Sequence, residues 1–294
     1  MSAAVEVLRA YQGAPPPPPS VPGRRLRLAG RYALLVFAGS LVAFPIYSAI
    51  VLAIQPADAL FDFPGLLVPT EPTLTPFRTA WTDADLGRFL LNSVIVTLII
   101  TVAQVVTSVL AAYAFAFLRF PAKQFVFYAF LATLMIPTEV MIVAQFQIVS
   151  DLGWINSYEG LVAPFLAYAF GTFLIRQAFL GIPKDLRDAA AMDGYGHLGF
   201  LRHVAVPLAR PAIAAFTVFS FLLAWNQYLW PLLVADDRSH RTVQIGLRSL
   251  SSSNPDELNL VMAGTLIAAV PIAIVLIAFQ RHLVRGLTAG AVKG

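Results

Sequence analysis

The stretch FLLNSVIVTLIITVAQVVTSVLAAYAFAFL, Phe89–Leu118, runs for thirty residues without a charged side chain. A bilayer core is crossed by a helix of about 20 mostly apolar residues. This stretch therefore predicts a membrane-spanning helix long enough to tilt or to extend past the hydrocarbon. Five other stretches have the same character: Tyr32–Ile54, Phe125–Val149, Leu161–Ile175, Pro211–Val234 and Leu258–Phe279. The one at Leu161–Ile175 is short and contains Gly171. Pro45, Pro137 and Pro271 fall inside spans, where a membrane bundle tolerates proline and often bends at it. For Pro137 and Pro271 two readings stand, a bend that serves motion and a bend that serves packing.

Composition agrees. Of the 294 residues, 58% are hydrophobic and 12% charged, where a soluble domain carries about 25% charged residues. Mean hydropathy is +0.74. So small a polar fraction cannot cover a water-facing surface, and the expectation is an all-α integral membrane protein with six transmembrane helices. There is no cysteine, which excludes disulfides, thiol catalysis and thiolate metal sites. His197, His203, His240 and His282 have no metal-ligand spacing, so no metal is expected. The net charge of +4 is better read by position than as a nucleic-acid footprint, and no nucleic acid is expected as a partner. Met1–Gly13 is polar and Pro15–Pro19 is unbroken proline, which is no secretory signal. Residues 1–30 read as a disordered cytoplasmic tail in polyproline II form, either a tether or a docking motif.

Orientation follows from the loops. With both termini in the cytoplasm, the inner segments hold fifteen Lys and Arg, including Arg24, Arg25, Arg119, Lys123, Arg281 and Arg285, and the outer loops hold five, Arg78, Arg88, Arg238, Arg241 and Arg248. That bias obeys the positive-inside rule. The organisation expected is a tail (1–30), a first span with an extracytoplasmic loop (31–84), a transmembrane core (85–280) and a cytoplasmic C-terminal tail (281–294).

The longest inner loop contains PKDLRDAAAMDGYGHLGFLRHVAVP, Pro183–Pro207. Pro183 followed by Lys184 and Asp185 suits a helix start. Leu186, Ala189, Ala190 and Met192 give that helix an apolar edge, and Gly194 and Gly196 end it. A second helix over Leu198–Val204 is closed by Pro207. On physical grounds alone this is an amphipathic connector lying on headgroups.

The spacing is more specific. Asp188-Ala189-Ala190, Gly194 six residues after Asp188, then nine residues to Val204-Ala205-Val206-Pro207, resembles the EAA loop of ABC importer permeases. Asp188 stands where Glu is usual and Val206 where Leu is commoner; each keeps charge or shape. Leu91–Thr97 (LNSVIVT), Ala111–Lys123 (AAYAFAFLRFPAK), Leu134–Val140 (LMIPTEV) and Ala224–Val234 (AWNQYLWPLLV) look like other segments of the family. The ending Gln280–Gly294 is similar to the branch that imports sugars and polyols, as in the smaller maltose permease subunit. Residues 85–294 carry the resemblance. Trp225–Leu233 together with Thr242–Leu250 resembles permeases for sn-glycerol 3-phosphate and glycerophosphodiesters, with a neutral mono-, di- or oligosaccharide as the other cargo considered.

The resemblance implies a type I ABC importer permease fold in a bacterial cell membrane. It implies a sister permease subunit, an extracytoplasmic substrate-binding protein and two ATPase subunits holding ATP and Mg²⁺. It also implies that Asp188, Ala189, Ala190, Gly194, Val204 and Pro207 belong to a coupling helix that docks on an ATPase subunit. The chain contains no G-x-x-x-x-G-K-[ST] phosphate loop and is expected to be no enzyme itself. Glu139, the ionisable group well inside a span, is either on the cargo path or a hydrogen-bonding group across the bundle. Asn226 and Gln227, beside Trp225, Tyr228 and Trp230, suit hydroxyl binding and ring stacking, and suit polar glue between helices equally. No Lys or Arg lies inside a span to meet a phosphate. Two other classes fit the sequence less well. An ion-coupled transporter calls for inverted repeats and midplane ionisable groups. A membrane enzyme would have to be built on His203, Asp193 and Arg202.

Overall fold

The computed structural model describes residues 24–60, 68–69, 71–253 and 257–288. The chain divides into two compact units, residues 1–48 and 49–294. Helix α1 (Arg24–Ala53) fills the described part of the first unit and continues into the second. It begins at Arg24, inside the stretch assigned above to the tail. Pro15–Pro19 lies outside the described residues. Pro45 sits within α1 without ending it. Residues 27–47 are all exposed, and an apolar helix exposed along its length requires lipid or another chain around it.

The second unit continues with α2 (Thr75–Thr82), α3 (Leu86–Phe117), α4 (Lys123–Ala132), α5 (Thr138–Asp151) and α6 (Tyr158–Val162). Then come α7 (Ala169–Leu180), α8 (Lys184–Met192), α9 (His197–Phe200), a π-helical turn at Leu201–Ala205 and α10 (Val206–Leu208). Helices α11 (Arg210–Trp225), α12 (Leu229–Val234), α13 (Val243–Ser253) and α14 (Leu258–Thr288) complete it. Three helical stretches, Arg27–Ala53, Leu86–Phe117 and Leu258–Arg281, are each long and apolar enough to cross a membrane. Three broken pairs pass the same test with bends of 98° (Lys123–Met135 with Thr138–Asp151), 46° (Tyr158–Phe165 with Ala169–Leu180) and 79° (His197–Leu208 with Arg210–Trp225). Among the described residues there are thus three continuous candidate spans, and up to six if each bent pair counts as one.

The sharpest break has a local cause. The residue before a proline is pushed out of the helical region, and Ile136 accordingly sits at φ −87°, ψ 117°. The helix stops in a 3₁₀ turn at Thr133–Met135 and restarts after Pro137. Thr133 Oγ1 donates to Phe130 O at 2.7 Å, covering a carbonyl exposed there. Pro271, expected to bend its span in the same way, lies inside unbroken α14. The span expected over Pro211–Val234 also differs. It ends at Trp225 because Asn226 turns back on its own helix, its N–H and its Nδ2 both donating to Leu222 O at 3.1 and 2.8 Å.

Helix α3 is the spine of the second unit, about 48 Å long at 1.5 Å per residue. Asn92, Ser93, Thr97, Thr101, Gln104 and Ser108 form a buried polar stripe along it. Small and hydrogen-bonding residues at such spacing are what membrane helices use to approach closely. Asn92 Nδ2 holds Ser239 O and Arg241 O, both at 2.9 Å, and Ser93 Oγ accepts from Val243 N at 2.8 Å. At Gly171 on α7, a Cβ would lie 2.1 Å from Phe216 Cζ and 2.5 Å from Ser108 Oγ, so only glycine lets α3, α7 and α11 meet there. Apolar clusters follow α3 from end to end: Leu86, Phe89 and Trp225 at one end, Val96, Ile100 and Trp230 in the middle, Tyr113, Phe179, Phe200 and Phe216 at the other.

Candidate functional site

Two features stand out, the loop Pro183–Pro207 and a cleft in the middle of the second unit. In the loop, α8 starts after Pro183, whose extended backbone (φ −57°, ψ 141°) precedes a first turn containing Asp185. It ends in a complete Schellman motif. Gly194 takes φ +81°, Gly194 N donates to Ala191 O at 3.1 Å, and Tyr195 N reaches back to Ala190 O at 2.9 Å. Gly196, expected to share that task, has φ −74° and instead precedes α9. The alanine pair divides its work. Ala190 is buried against Tyr113, Phe200 and Leu201, while Asp188 and Ala189 are exposed. Burying Phe200 alone contributes about 1.5–3 kcal/mol where the cluster meets water, which fastens the loop to the end of α3.

The second half of the loop is not closed at Pro207. The π turn Leu201–Ala205 places Val206 N–H on Leu201 O, five residues back, and the helical run passes through Pro207 to Leu208. Pro207 has no N–H to donate, so a turn of altered register just ahead of it is tolerated. Val204 and Pro207 are half-buried in that run. His203 stacks on Tyr195 with centroids 5.2 Å apart and has Nδ1 3.0 Å from Gly199 O. Tyr113 Oη lies 3.0 Å from His197 Nδ1, tying α9 to α3. These side chains thus shape the loop. What α8 leaves exposed mixes charge with apolar side chains: Lys184, Asp185, Arg187 and Asp188 are exposed, and so are Leu186, Ala189 and Met192, the last at 85%.

The cleft, about 600 Å³, lies where two of the breaks meet the segment after α11, lined by residues of 133–139, 164–169 and 227–230. Glu139 enters it from the first turn of α5, beside Thr138. Gln104, Gln145, Gln227, Tyr168 and Tyr228 add polar groups, and no Lys or Arg is in its lining. Gln104 is fully engaged, with Nε2 donating to Phe165 O and Oε1 accepting from Ser220 Oγ, both at 2.8 Å. Gln227 is not: its Oε1 is shielded and has no hydrogen-bond partner. Such an orphan costs about 1–3 kcal/mol. Trp230 is locked by Nε1 donating to Gly160 O at 3.1 Å and by edge contact with Phe165.

Of the residues the sequence pointed to for the cargo path, Glu139, Gln227 and Tyr228 share this cleft. Trp225 and Asn226 do not line it. Trp225 is 1% exposed and stacks on Phe221 in the core, and Asn226 uses its amide to end α11. The cleft residues that sequence reasoning missed are Gln104, Gln145, Thr133, Thr138 and Tyr168. An amide inside an otherwise apolar run was the available signal for the two glutamines.

At the far end of α3 the loop 236–242 is held by Asn92, and Asn156 Oδ1 accepts from Asp237 N at 2.8 Å. Hydrogen bonds from Ser239 hold the Asp237 carboxyl below the usual carboxylate range.

A family model described as the binding-protein-dependent transport system inner membrane component matches residues 104–289. The chain is 36% identical over 264 residues to the sn-glycerol-3-phosphate transport system permease protein UgpE of Yersinia enterocolitica, covering 87% of this chain and 94% of that one. To the protein of the same name from Brucella abortus it is 37% identical over 265 residues, covering 86% and 93%. Among solved structures, a bacterial ABC transporter involved in import of the acidic polysaccharide alginate contains a chain that superposes with a TM-score of 0.77 at 21% identity, covering 91% of this chain and all of that one. That likeness supports the fold.

Proposed function

We infer the function of this chain from one premise: it belongs to the family of inner membrane components of binding-protein-dependent transport systems. We propose that it is the permease subunit of an ATP-driven ABC importer and forms half of the translocation path for sn-glycerol 3-phosphate or a glycerophosphodiester. The observation that carries the reading is the pairing of two features in one chain. A short helix fastened by buried Ala190 and exposed on its outer side lies at one end, and a cleft of amides and hydroxyls opens at two of the breaks. The 36% identity to sn-glycerol-3-phosphate permeases supports the cargo.

In this mechanism the Pro183–Pro207 loop faces the cytoplasm and α8 docks on one of two ATPase subunits, which hold ATP and Mg²⁺. Closure of the ATPase pair pushes α8, and the Schellman turn and buried Ala190 pass that displacement to α3. The spans rock against those of a sister permease and expose the cleft alternately to the two sides, a two-state equilibrium biased from its cytoplasmic end. An extracytoplasmic binding protein delivers the cargo. Cleft amides and tyrosines exchange hydrogen bonds with cargo hydroxyls that water held before.

The absence of Lys and Arg from the cleft lining favours a second reading, a neutral sugar as cargo. Both are tested by reconstituting the chain with its partners in liposomes and measuring uptake of labelled sn-glycerol 3-phosphate, a glycerophosphodiester and maltose. The proposal expects ATP-dependent uptake of the first two, insensitive to dissipating ion gradients. Uptake of maltose alone would establish the second reading. Uptake that persists without ATP and collapses with the ion gradient would refute both.

A further inference from the structure

The cleft lining carries one charged side chain, the Glu139 carboxylate, among neutral amides and hydroxyls that both donate and accept. Gln104 already has a partner on each polar atom, Phe165 O on Nε2 and Ser220 Oγ on Oε1. Gln227 contributes an acceptor, Oε1, without a partner. Glu139, the one carboxylate in the lining, contributes two more acceptor oxygens. No lining residue is a Lys or Arg, and the cleft is open along one side, where Glu139, Leu223 and Tyr228 remain exposed. Acceptors require donors. A cargo carrying hydroxyls at one end and a phosphate at the other has donors at the hydroxyl end, while its phosphate end is itself negative and rich in acceptors. A carboxylate repels that end and accepts from the other.

We propose that Glu139, with Gln227, fixes the orientation of the cargo: this chain holds the hydroxyl-bearing end, and the phosphate points across the open side of the cleft to a cationic side chain on the facing permease subunit. The inference rests on the cargo reading above and adds to it a polarity and a division of labour. Glu139 is suited to this role by its position. It sits in the first turn of α5, directly after the 98° break at Pro137, so its carboxylate is presented at the rim of a helix end and not along a packed face. Its partner is defined by chemistry, a subunit whose facing wall bears Lys or Arg at cleft level.

The test uses the complete reconstituted complex with binding protein saturated by one of two cargoes, sn-glycerol 3-phosphate or propyl phosphate, which lacks both hydroxyls. Uptake is measured for wild type, Glu139→Ala, Glu139→Gln and Glu139→Asp. If Glu139 accepts from the cargo diol, Glu139→Ala lowers sn-glycerol 3-phosphate uptake at least tenfold and changes uptake of the deoxy analogue less than twofold. Glu139→Asp retains most of the preference, and Glu139→Gln, which keeps one acceptor oxygen, lies between. Equal losses for both cargoes would assign Glu139 a structural role and overturn the proposal. Faster uptake of both in Glu139→Ala would show that the carboxylate opposes the phosphate, and would overturn it also. If wild type carries a neutral sugar and neither phosphate, the cargo reading and the phosphate half of this inference fall together. The hydroxyl half is then decided by that sugar and its monodeoxy form.

Discussion

Gly194 offers the sharpest perturbation of the loop because its substitution changes backbone energy alone. A Cβ at this position would meet nothing within 4 Å, so no clash complicates the result. The cost arises from φ +81°, a region in which an L-residue is disfavoured by about 1–2 kcal/mol. A β-branched side chain pays more, and asparagine less, since its short side chain bonds locally. If the turn opens, the Tyr195–Ala190 and Gly194–Ala191 hydrogen bonds go with it, each worth about 0.5–1.5 kcal/mol. With 1.4 kcal/mol equal to about a tenfold change, Gly194→Asn should stay within about threefold of wild type in ATP-driven uptake. Gly194→Ala should fall several-fold, and Gly194→Val by more than tenfold. The assay is uptake by liposomes containing the full complex, normalised to inserted protein, which all three variants should match. Equal uptake by Gly194→Val and wild type, or an order other than Asn, Ala, Val, would refute the assignment of this turn as the base of a coupling helix.

Four further outcomes follow from the geometry. Gly171→Ala forces the buried Phe216 ring aside by more than an ångström, an overpacking cost of about 1–3 kcal/mol against a helix-propensity gain of about 1 kcal/mol, so the Tm of the purified complex should fall. Gly39→Ala, with nothing within 4 Å, should leave Tm unchanged or raised. Gln104→Leu leaves Ser220 Oγ and Phe165 O without their partner, which should cost about 2–4 kcal/mol by thermal melting, and a double-mutant cycle with Ser220→Ala should show coupling of about 1 kcal/mol. Asp237, held below its ordinary range, stabilises the 236–242 loop fully at neutral pH and loses that contribution as pH falls through the acidic carboxylate range. Hydrogen exchange in the loop should therefore rise on acidification, and much less in Ser239→Ala.

The membrane class was legible because a charge-free run such as Phe89–Leu118 has few other fates, and the helix observed, Leu86–Phe117, begins three residues before it. Gly194 was legible for a different reason: its spacing from Asp188 and its place after an apolar turn both require a left-handed residue. Where breaks fall inside apolar sequence the chain is less readable. LLAWNQYLWPLLV is apolar on both sides of Asn226, so a hydropathy window averages across the stop. Only the hydrogen bonds of Asn226 to Leu222 O mark it. The same averaging placed Trp225 with its neighbour Gln227. The helix ends between them, so Trp225 faces the core while Gln227, past the turn, lines the cleft. Gln104 was missed because a lone amide in a span reads as glue. It is glue, and it also lines the cleft.

The central claim is that energy enters this chain from another polypeptide at α8. Because the sequence contains no cysteine, Met192→Cys creates a single thiol at a side chain that is 85% exposed. Its modification by a maleimide in the membrane should be fast for the permease pair alone and at least tenfold slower once the ATPase subunits are bound. Protection should be lost when α8 is disrupted by Gly194→Val. A modification rate unchanged by the ATPase subunits, in a complex that still transports, would contradict the account.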